Sequence, residues 1–297
     1  MPYGIIVKGI GGFYYVKVDQ RVYECKARGI FRKEEMSPLP GDKVKIAIVD
    51  EEKGLGSLEE ILQRQSQLIR PSVANVDQVV VVIAAKSPSP DFMLLDKLLI
   101  TAEIKGIQPA VCINKTDLDE AKEYEKIIRT YSGAGYRVIP VSTVRKTGFE
   151  ELRSILDQKV TVFAGQSGVG KSTILNHLMD ESLMETGEVS RKIERGRHTT
   201  RHAELIELET GGYVVDTPGF SSFELADLTY DTLELYYPEF ESYLNTCKFT
   251  GCSHITEPGC KVKEALENGT IDQERYERYI QLYTVLKQEK EYRKKGK

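Results

Sequence analysis

The sequence predicts a multidomain protein of three successive modules: a small β-barrel, a doubly wound α/β domain and a helical segment carrying a cluster of metal-ligand residues. Three observations predict it. Short runs rich in Val, Ile, Tyr and Phe crowd into the first stretch of chain, separated by Gly-rich and Pro40-Gly-Asp42 turns. From residue 66 onward, continuous apolar runs alternate with amphipathic stretches, as parallel strands covered by helices require. Beyond Phe220 the chain turns to charged helical residues grouped around three cysteines and a histidine. The expected boundaries are 1–65, 66–221 and 222–297.

The 297 residues hold 41 Lys+Arg against 45 Asp+Glu, a net charge of −4, so any nucleic-acid contact has to come from local patches. No apolar run approaches the ~20 residues of a membrane span. The opening Met1-Pro-Tyr-Gly-Ile5 lacks the basic-then-apolar layout of a signal peptide, and a cytoplasmic protein is expected. Five cysteines, an odd number with three of them clustered late, argue against a disulfide framework. Cys25 and Cys112 sit in apolar strand-like runs and are expected in the core.

In the first module, strand patterns cover 3–8, 13–18, 22–27, 43–49 and 58–62. Five short strands in so few residues suit a barrel of the OB type. Between Met1 and Val49, nine Lys/Arg face five Asp/Glu, a local excess of +4, with Tyr14, Tyr15, Tyr23 and Phe31 interleaved. Exposed aromatics among cations would hold nucleic acid. Aromatics turned into the barrel beneath a solvated surface give the same pattern, and both readings stay open here.

The second module begins with Gln78-Val-Val-Val-Val-Ile-Ala-Ala85, a strand buried on both faces. A helix follows over 91–105, with Phe92, Leu95, Leu98, Leu99 and Ala102 on one side. A strand over 110–113 runs directly into Asn114-Lys115-Thr116-Asp117. Then come a helix over 119–131, a strand over 137–141, Ser142-Thr143, a short helix over 149–157 and a strand over 160–163.

That last strand opens into Gly165-Gln166-Ser167-Gly168-Val169-Gly170-Lys171-Ser172, followed by Thr173 and an amphipathic helix. The pattern G-x-x-x-x-G-K-S between strand and helix is a phosphate loop. Its glycines let successive N–H groups turn inward onto phosphate oxygens, and the helix N-terminus adds positive charge. Lys171 would reach the β- and γ-phosphates and Ser172 would ligate Mg²⁺. Asn114-Lys115-Thr116-Asp117 fits N-K-x-D, in which the aspartate accepts two guanine hydrogens that adenine cannot supply. An ATPase or small-molecule kinase has no use for that motif. Ser142 stands where a second base-contacting loop is expected, although Thr143 replaces its usual alanine.

Tyr213-Val-Val-Asp216-Thr-Pro-Gly219 fits D-x-x-G, with Asp216 serving Mg²⁺ through water and the Gly219 N–H sensing the γ-phosphate. Between these motifs, Gly196-Arg-His198-Thr-Thr200 offers a switch threonine for the metal: Thr200, with adjacent Thr199 as the alternative. Phe220 occupies the place where Ras-like enzymes keep a water-orienting glutamine, so the isolated protein should turn over slowly. His198 is the best internal candidate to position the water. The motif order is permuted, since N-K-x-D and the base loop precede the phosphate loop. Each motif still falls at the carboxyl end of a parallel strand, so the fold is a circularly permuted GTPase.

Cys247-x₄-Cys252-x-His254-x₅-Cys260 supplies three thiolates and an imidazole, the ligand count of a closed structural Zn²⁺ site with no open position for catalysis. Arg293-Lys-Lys-Gly-Lys297 reads as a loose basic tail. Permuted order, OB-like start and Cys-Cys-His-Cys module together resemble the bacterial ribosome small-subunit-dependent GTPase A (RsgA) family over essentially the whole chain. The resemblance implies GTP hydrolysis to GDP, stimulated by the 30S subunit, with contact to 16S rRNA through the outer modules. It also implies a role in late small-subunit maturation; a monomer without DNA or membrane partners is expected. A plain RNA-binding protein, or a permuted GTPase acting on another RNA particle, are the alternatives.

Overall fold

The computed structural model describes residues 1–27, 31, 37–186, 203–209, 211–216 and 228–295. Its first module has five strands, β1 (Tyr3–Ile10), β2 (Phe13–Val18), β3 (Arg21–Ala27), β4 (Lys43–Asp50) and β5 (Leu55–Ile61). The ladder runs β1-β2-β3-β5-β4 and closes from β4 back onto β1. Closure pairs strand edges that would otherwise invite other chains. Ile6, Val16, Cys25, Val44, Ile46 and Leu58 fill the interior. Tyr23 and Phe31 join this core, so these two interleaved aromatics pack inward rather than present a stacking face. Tyr3 is the aromatic that is open to solvent, at 62% exposure, with the Lys45 ammonium 5.9 Å from its ring centroid.

Arg64 fastens the barrel to the neighbouring segment of chain. It donates from Nε to Asp42 Oδ1 (2.7 Å) and from Nη2 to Asp42 Oδ2 (2.8 Å), satisfying a fully buried carboxylate. Beside it the short pair β6 (Gln67–Leu68) and β7 (Val73–Ala74) leads to Asn75, whose Nδ2 donates to the Gly41 carbonyl (2.9 Å).

The α/β domain comprises β8 (Gln78–Ala84), α1 (Phe92–Ile104), β9 (Gln108–Asn114), α2 (Tyr124–Gly133), β10 (Arg137–Pro140), α3 (Phe149–Leu156), β11 (Val160–Ala164), α4 (Lys171–Thr186), β12 (Glu204–Glu207) and β13 (Tyr213–Asp216). Strands β10, β9, β8, β11 and β13 lie side by side in parallel, and β12 runs antiparallel at their end. Strand alternation divides the apolar residues of β8 between two layers. Val79, Val81 and Ile83 share a cluster with Leu95, Leu98 and Leu99 of α1. Val80, Val82 and Ala84 share the other with Leu152 of α3 and Ile174 of α4. Each of these valine, leucine and isoleucine side chains contributes about 1.5–3 kcal/mol on burial.

The predicted helix over 119–131 begins only at Tyr124. Thr116–Leu118 forms a 3-10 turn, Lys122 takes φ 54°, and Asp119 Oδ2 accepts from the Tyr124 N–H (2.9 Å). Helix α3 carries the chain back to β11, as the permuted order requires. Gln78 Nε2 sews this junction by donating to the Ile155 carbonyl and to Thr161 Oγ1, each at 2.7 Å.

The last module holds 3-10 turns Leu233–Tyr236 and Pro238–Tyr243, then α5 (Lys261–Glu267) and α6 (Gln273–Lys295). Helix α6 continues through Lys295, so residues 293–295 extend it rather than form a loose tail. Among the described residues no helix is long and apolar enough to cross a membrane.

Arg275 of α6 joins this module to the α/β domain. It is fully buried, donating from Nη1 to Asp96 Oδ1 of α1 (2.6 Å) and from Nε to Glu239. Tyr131, Tyr136 and Tyr237 place their rings 4.8–5.3 Å from its guanidinium carbon. Arg278 and the Tyr131 hydroxyl complete the donors around Asp96. Burial works against the guanidinium charge, and the Asp96 and Glu239 carboxylates more than offset it. Asp96→Ala leaves two arginines with an empty seat, so it is expected to lower unfolding free energy by about 3–5 kcal/mol. Urea denaturation measures this, and an unchanged midpoint would show the cluster to be ornamental.

Candidate nucleotide site and metal centre

Because β9, β11 and β13 run parallel, their carboxyl ends share one edge of the sheet. Residues separated along the chain therefore meet there. Asn114 closes β9, the glycine-rich loop leaves β11 after Ala164, and Asp216 closes β13. Ligands of open α/β sheets bind at such an edge.

Side chains of the Asn114 segment hold the phosphate loop directly. Asn114 is fully buried and donates from Nδ2 to the Val169 carbonyl (2.9 Å). Its Oδ1 is buried without a protein partner among the described residues, an acceptor left for a ligand or water. Lys115 Nζ donates to the Gly168 carbonyl and to the Ser87 carbonyl, each at 2.7 Å. Thr116 Oγ1 donates to the Val141 carbonyl (3.1 Å), tying this turn to the end of β10. Ser142 is fully buried and donates from Oγ to Asp117 Oδ1 (2.5 Å), while accepting from the Arg145 N–H (3.0 Å). Ser142 thus lies against Asp117, with Thr143 the residue after it.

Two loop positions admit only glycine. Gly165 has φ 132°, and a Cβ there would lie 2.1 Å from the Val82 carbonyl oxygen. Gly170 has φ 96°, and a Cβ would lie 2.4 Å from Asn114 Nδ2. Val169 between them is buried and anchors the loop in the core, whereas Ser167, Gly168, Ser172 and Thr173 are exposed and Gln166 is half-buried. Lys171 Nζ folds across the loop onto the Gly165 (2.6 Å) and Gln166 (2.8 Å) carbonyls. Burial holds its ammonium below the ordinary lysine value, a cost that an adjacent phosphate would relieve. Thr199, Thr200, His198, Gly219 and Phe220 lie outside the described residues, as does the side chain of Asp216. The Ser87 carbonyl on Lys115 was not legible in the sequence, where Ser87-Pro-Ser-Pro90 reads only as a break.

The second site is the cysteine cluster. Ligand atoms of Cys247, Cys252, His254 and Cys260 all lie within 4.8 Å of one another. Cys247 Sγ is 3.9 Å from Cys260 Sγ, and His254 Nδ1 is 3.6 Å from Cys247 Sγ and 3.3 Å from Cys260 Sγ. Tetrahedral zinc with bonds of about 2.3 Å to sulfur places sulfurs about 3.8 Å apart, so the set fits that ion. Burial pushes the Cys252 and Cys260 thiols up, so thiolates there need a cation beside them. The other His254 nitrogen, Nε2, meets Glu234 Oε2 at 2.6 Å. Such a carboxylate fixes the ring and its tautomer. Glu234 carries no sequence signal, lying in a different turn. The loop is braced by Glu257. Burial alone would raise this carboxyl, but donors from Ser253 Oγ (2.6 Å), Ser253 N (2.9 Å), its own backbone N–H and Ile255 N (3.1 Å) hold it at about 2.

Among the described cations of the barrel, two pair with the α/β domain. Lys8 pairs with Glu204 (2.9 Å) and Lys17 with Glu207. Lys26 instead lies 5.3 Å from the Phe13 ring centroid.

The RsgA GTPase family model matches residues 61–226, and the RsgA N-terminal domain model matches residues 3–55. A small ribosomal subunit biogenesis GTPase RsgA of Ruminiclostridium cellulolyticum is 61% identical, aligned over 100% of this chain and 97% of that protein. Its counterpart in Alkaliphilus metalliredigens is 47% identical over 98% of this chain and 100% of that one. Among solved structures, YjeQ from Thermotoga maritima superposes with a TM-score of 0.82 at 36% identity, covering 96% of this chain and 98% of its own. YloQ, a circularly permuted GTPase, gives 0.81 at 40% identity, covering 97% and 96%. With motifs in permuted order around one sheet edge, and relatives matched end to end, this chain belongs to the RsgA GTPase family.

Proposed function

We propose that this protein hydrolyses GTP to GDP and phosphate, slowly alone and faster on the 30S ribosomal subunit, in the late maturation of that subunit. The reading holds it to be a cytoplasmic monomer that contacts 16S rRNA through its barrel and its metal module, with no DNA or membrane partner. The single observation that carries the nucleotide half is the meeting of Asn114 and Lys115 with the phosphate loop at the carboxyl edge of the sheet. Kinship with small ribosomal subunit biogenesis GTPases carries the ribosomal half.

In this reading Asp117 accepts the guanine hydrogens, while Asn114, Lys115, Thr116 and Ser142 shape the base site. Backbone N–H groups from Gly165 to Thr173, with Gln166, Ser167, Gly168, Val169, Gly170 and Ser172 between, receive the phosphates, and Lys171 neutralises the β- and γ-oxygens. Ser172, Asp216 and Thr200 hold Mg²⁺, which supplies charge neutralisation at the transferring phosphoryl group. Gly219 senses the γ-phosphate and His198 positions the water. Cys247, Cys252, His254 and Cys260 hold one structural Zn²⁺, which fixes the loop and takes no part in hydrolysis.

Three experiments test these assignments. Asp117→Asn should lose about 2–4 kcal/mol of GTP affinity and gain affinity for a xanthosine nucleotide, which lacks the 2-amino donor. Equal binding of ATP and GTP by the unmodified protein would sink the guanine reading. For the metal, protein purified without chelator should contain one zinc per chain. Glu234→Gln should weaken it about 10–100-fold in competition with a chromogenic chelator while GTP binding holds. Zinc-free protein with an intact C-terminal module would count against the assignment. For the water, His198→Ala should keep 30S co-sedimentation and lose stimulated turnover, whereas unchanged stimulation removes His198 from the mechanism.

A further inference from the structure

We infer that Glu204 and Glu207 of β12, through Lys8 and Lys17 of the barrel, are positioning residues that carry the state of the barrel to the nucleotide site. The inference rests on the proposed reading that the barrel engages the small subunit and that Asp216 serves the nucleotide's metal.

An unbroken hydrogen-bonded path connects the two. Strand β1 of the barrel pairs antiparallel with β12, placing Lys8 opposite Glu204. Strand β12 pairs antiparallel with β13, placing the same Glu204 opposite Asp216. Strand β13 then pairs with β11, Val215 beside Val162, three residues before the phosphate loop begins at Gly165. Barrel and α/β domain therefore share one sheet, and Glu204 is the residue between Lys8 and the metal aspartate in the ladder. A strand at such a position cannot shift or tilt without moving the backbone at Asp216.

What holds β1 on β12 is limited, and that makes the charges decisive. The ladder registers only Lys8 with Glu204. Ile5 and Val7 of β1 pack against the cluster that contains Ala203, Leu205 and Val215, which gives adhesion but little register. The Lys8–Glu204 pair (2.9 Å) and the Lys17–Glu207 pair, three residues apart on β12 and drawn from two strands of the barrel, fix the rotation. Partly exposed pairs of this kind add little to stability. Their directional value is orientation, as charge pairs give across interfaces. Strand β1 is also hydrogen-bonded to β2 and β4, so load taken anywhere on the closed barrel arrives at this seam.

The test is GTP turnover of the full chain carrying Glu204→Gln together with Glu207→Gln. Basal turnover should stay within about twofold. At saturating 30S subunits, stimulated turnover should fall about three- to tenfold, with the half-saturating subunit concentration little changed. A charge swap, Glu204→Lys with Lys8→Glu, should recover most of the stimulation that Glu204→Lys alone loses. Full stimulation in the double Gln variant, or a loss confined to 30S affinity, would overturn the inference. A second measurement needs no ribosome: a non-hydrolysable GTP analogue should change amide hydrogen exchange at Lys8, Gly9 and Ile10 in the unmodified protein and not in the double Gln variant. Identical exchange at these three residues with and without nucleotide would overturn it too. Unmodified protein that shows the exchange response but no 30S stimulation would strike the proposed function and leave the coupling standing.

Discussion

The amide of Asn114, donating to the Val169 carbonyl at 2.9 Å, is the contact on which the nucleotide site depends. It joins the Asn114–Asp117 segment to the phosphate loop across 55 residues of chain, and both partners are buried. Without it, that carbonyl loses about 1–3 kcal/mol of compensation. The bond also dictates sequence beside it. A side chain at position 170 would collide with the same amide at 2.4 Å, so the last glycine of the loop is required by the neighbouring Asn114 side chain. Lys115 adds a second tie to Gly168, and its ammonium takes the Ser87 carbonyl as well, gathering the ends of β8, β9 and β11 around one cation.

Permutation leaves this geometry untouched because the constraint is spatial. Parallel register fixes which strand ends are neighbours, and nothing in the register records which strand the ribosome made first. Helix α3 is the piece that changes, returning the chain from β10 to β11. Gln78 secures that return with two buried bonds of 2.7 Å from the foot of β8. The junction sits at the amino end of the strands, so the covalent rearrangement is kept away from the chemistry.

What the sequence made legible is local chemistry on a regular backbone. The loop from Gly165 to Ser172, Asn114 to Asp117 and the Cys/His group each compress a site into a few residues, and strand β8 announces itself by an unbroken apolar run. What stayed hidden depends on partners far along the chain. Glu234 meets His254 from 20 residues away, and Arg275 meets Asp96 from 179, with no spacing to betray either. Barrel aromatics were ambiguous because a closed barrel buries one side of every strand. Tyr23 and Phe31 fell inside while Tyr3 stayed out. The late start of α2 turned on a side chain capping five residues ahead, at Asp119, where simple periodicity saw only helix.

The two outer modules grip the α/β domain at opposite flanks. The barrel extends the sheet beyond β12, whereas the C-terminal module clasps α1 through Asp96 and α2 through Tyr131. Between them lie β8 and β11, buried along their whole length. A sheet packed on both faces at its centre resists bending there, and close packing passes strain onward rather than absorbing it. Strain applied at the flanks is then relieved where packing ends, at the loops on the carboxyl edge. A partner that holds both modules can alter those loops only to the extent that it binds one arrangement of the flanks better than another. The molecule supplies such a difference through unequal seams. The Arg275 cluster is buried and multiply bonded, whereas the β1–β12 seam is a short ladder with partly exposed ion pairs. A displacement of the barrel flank passes through the β1–β12 seam while its ion pairs hold, and the next hydrogen-bonded neighbour of that seam is Asp216.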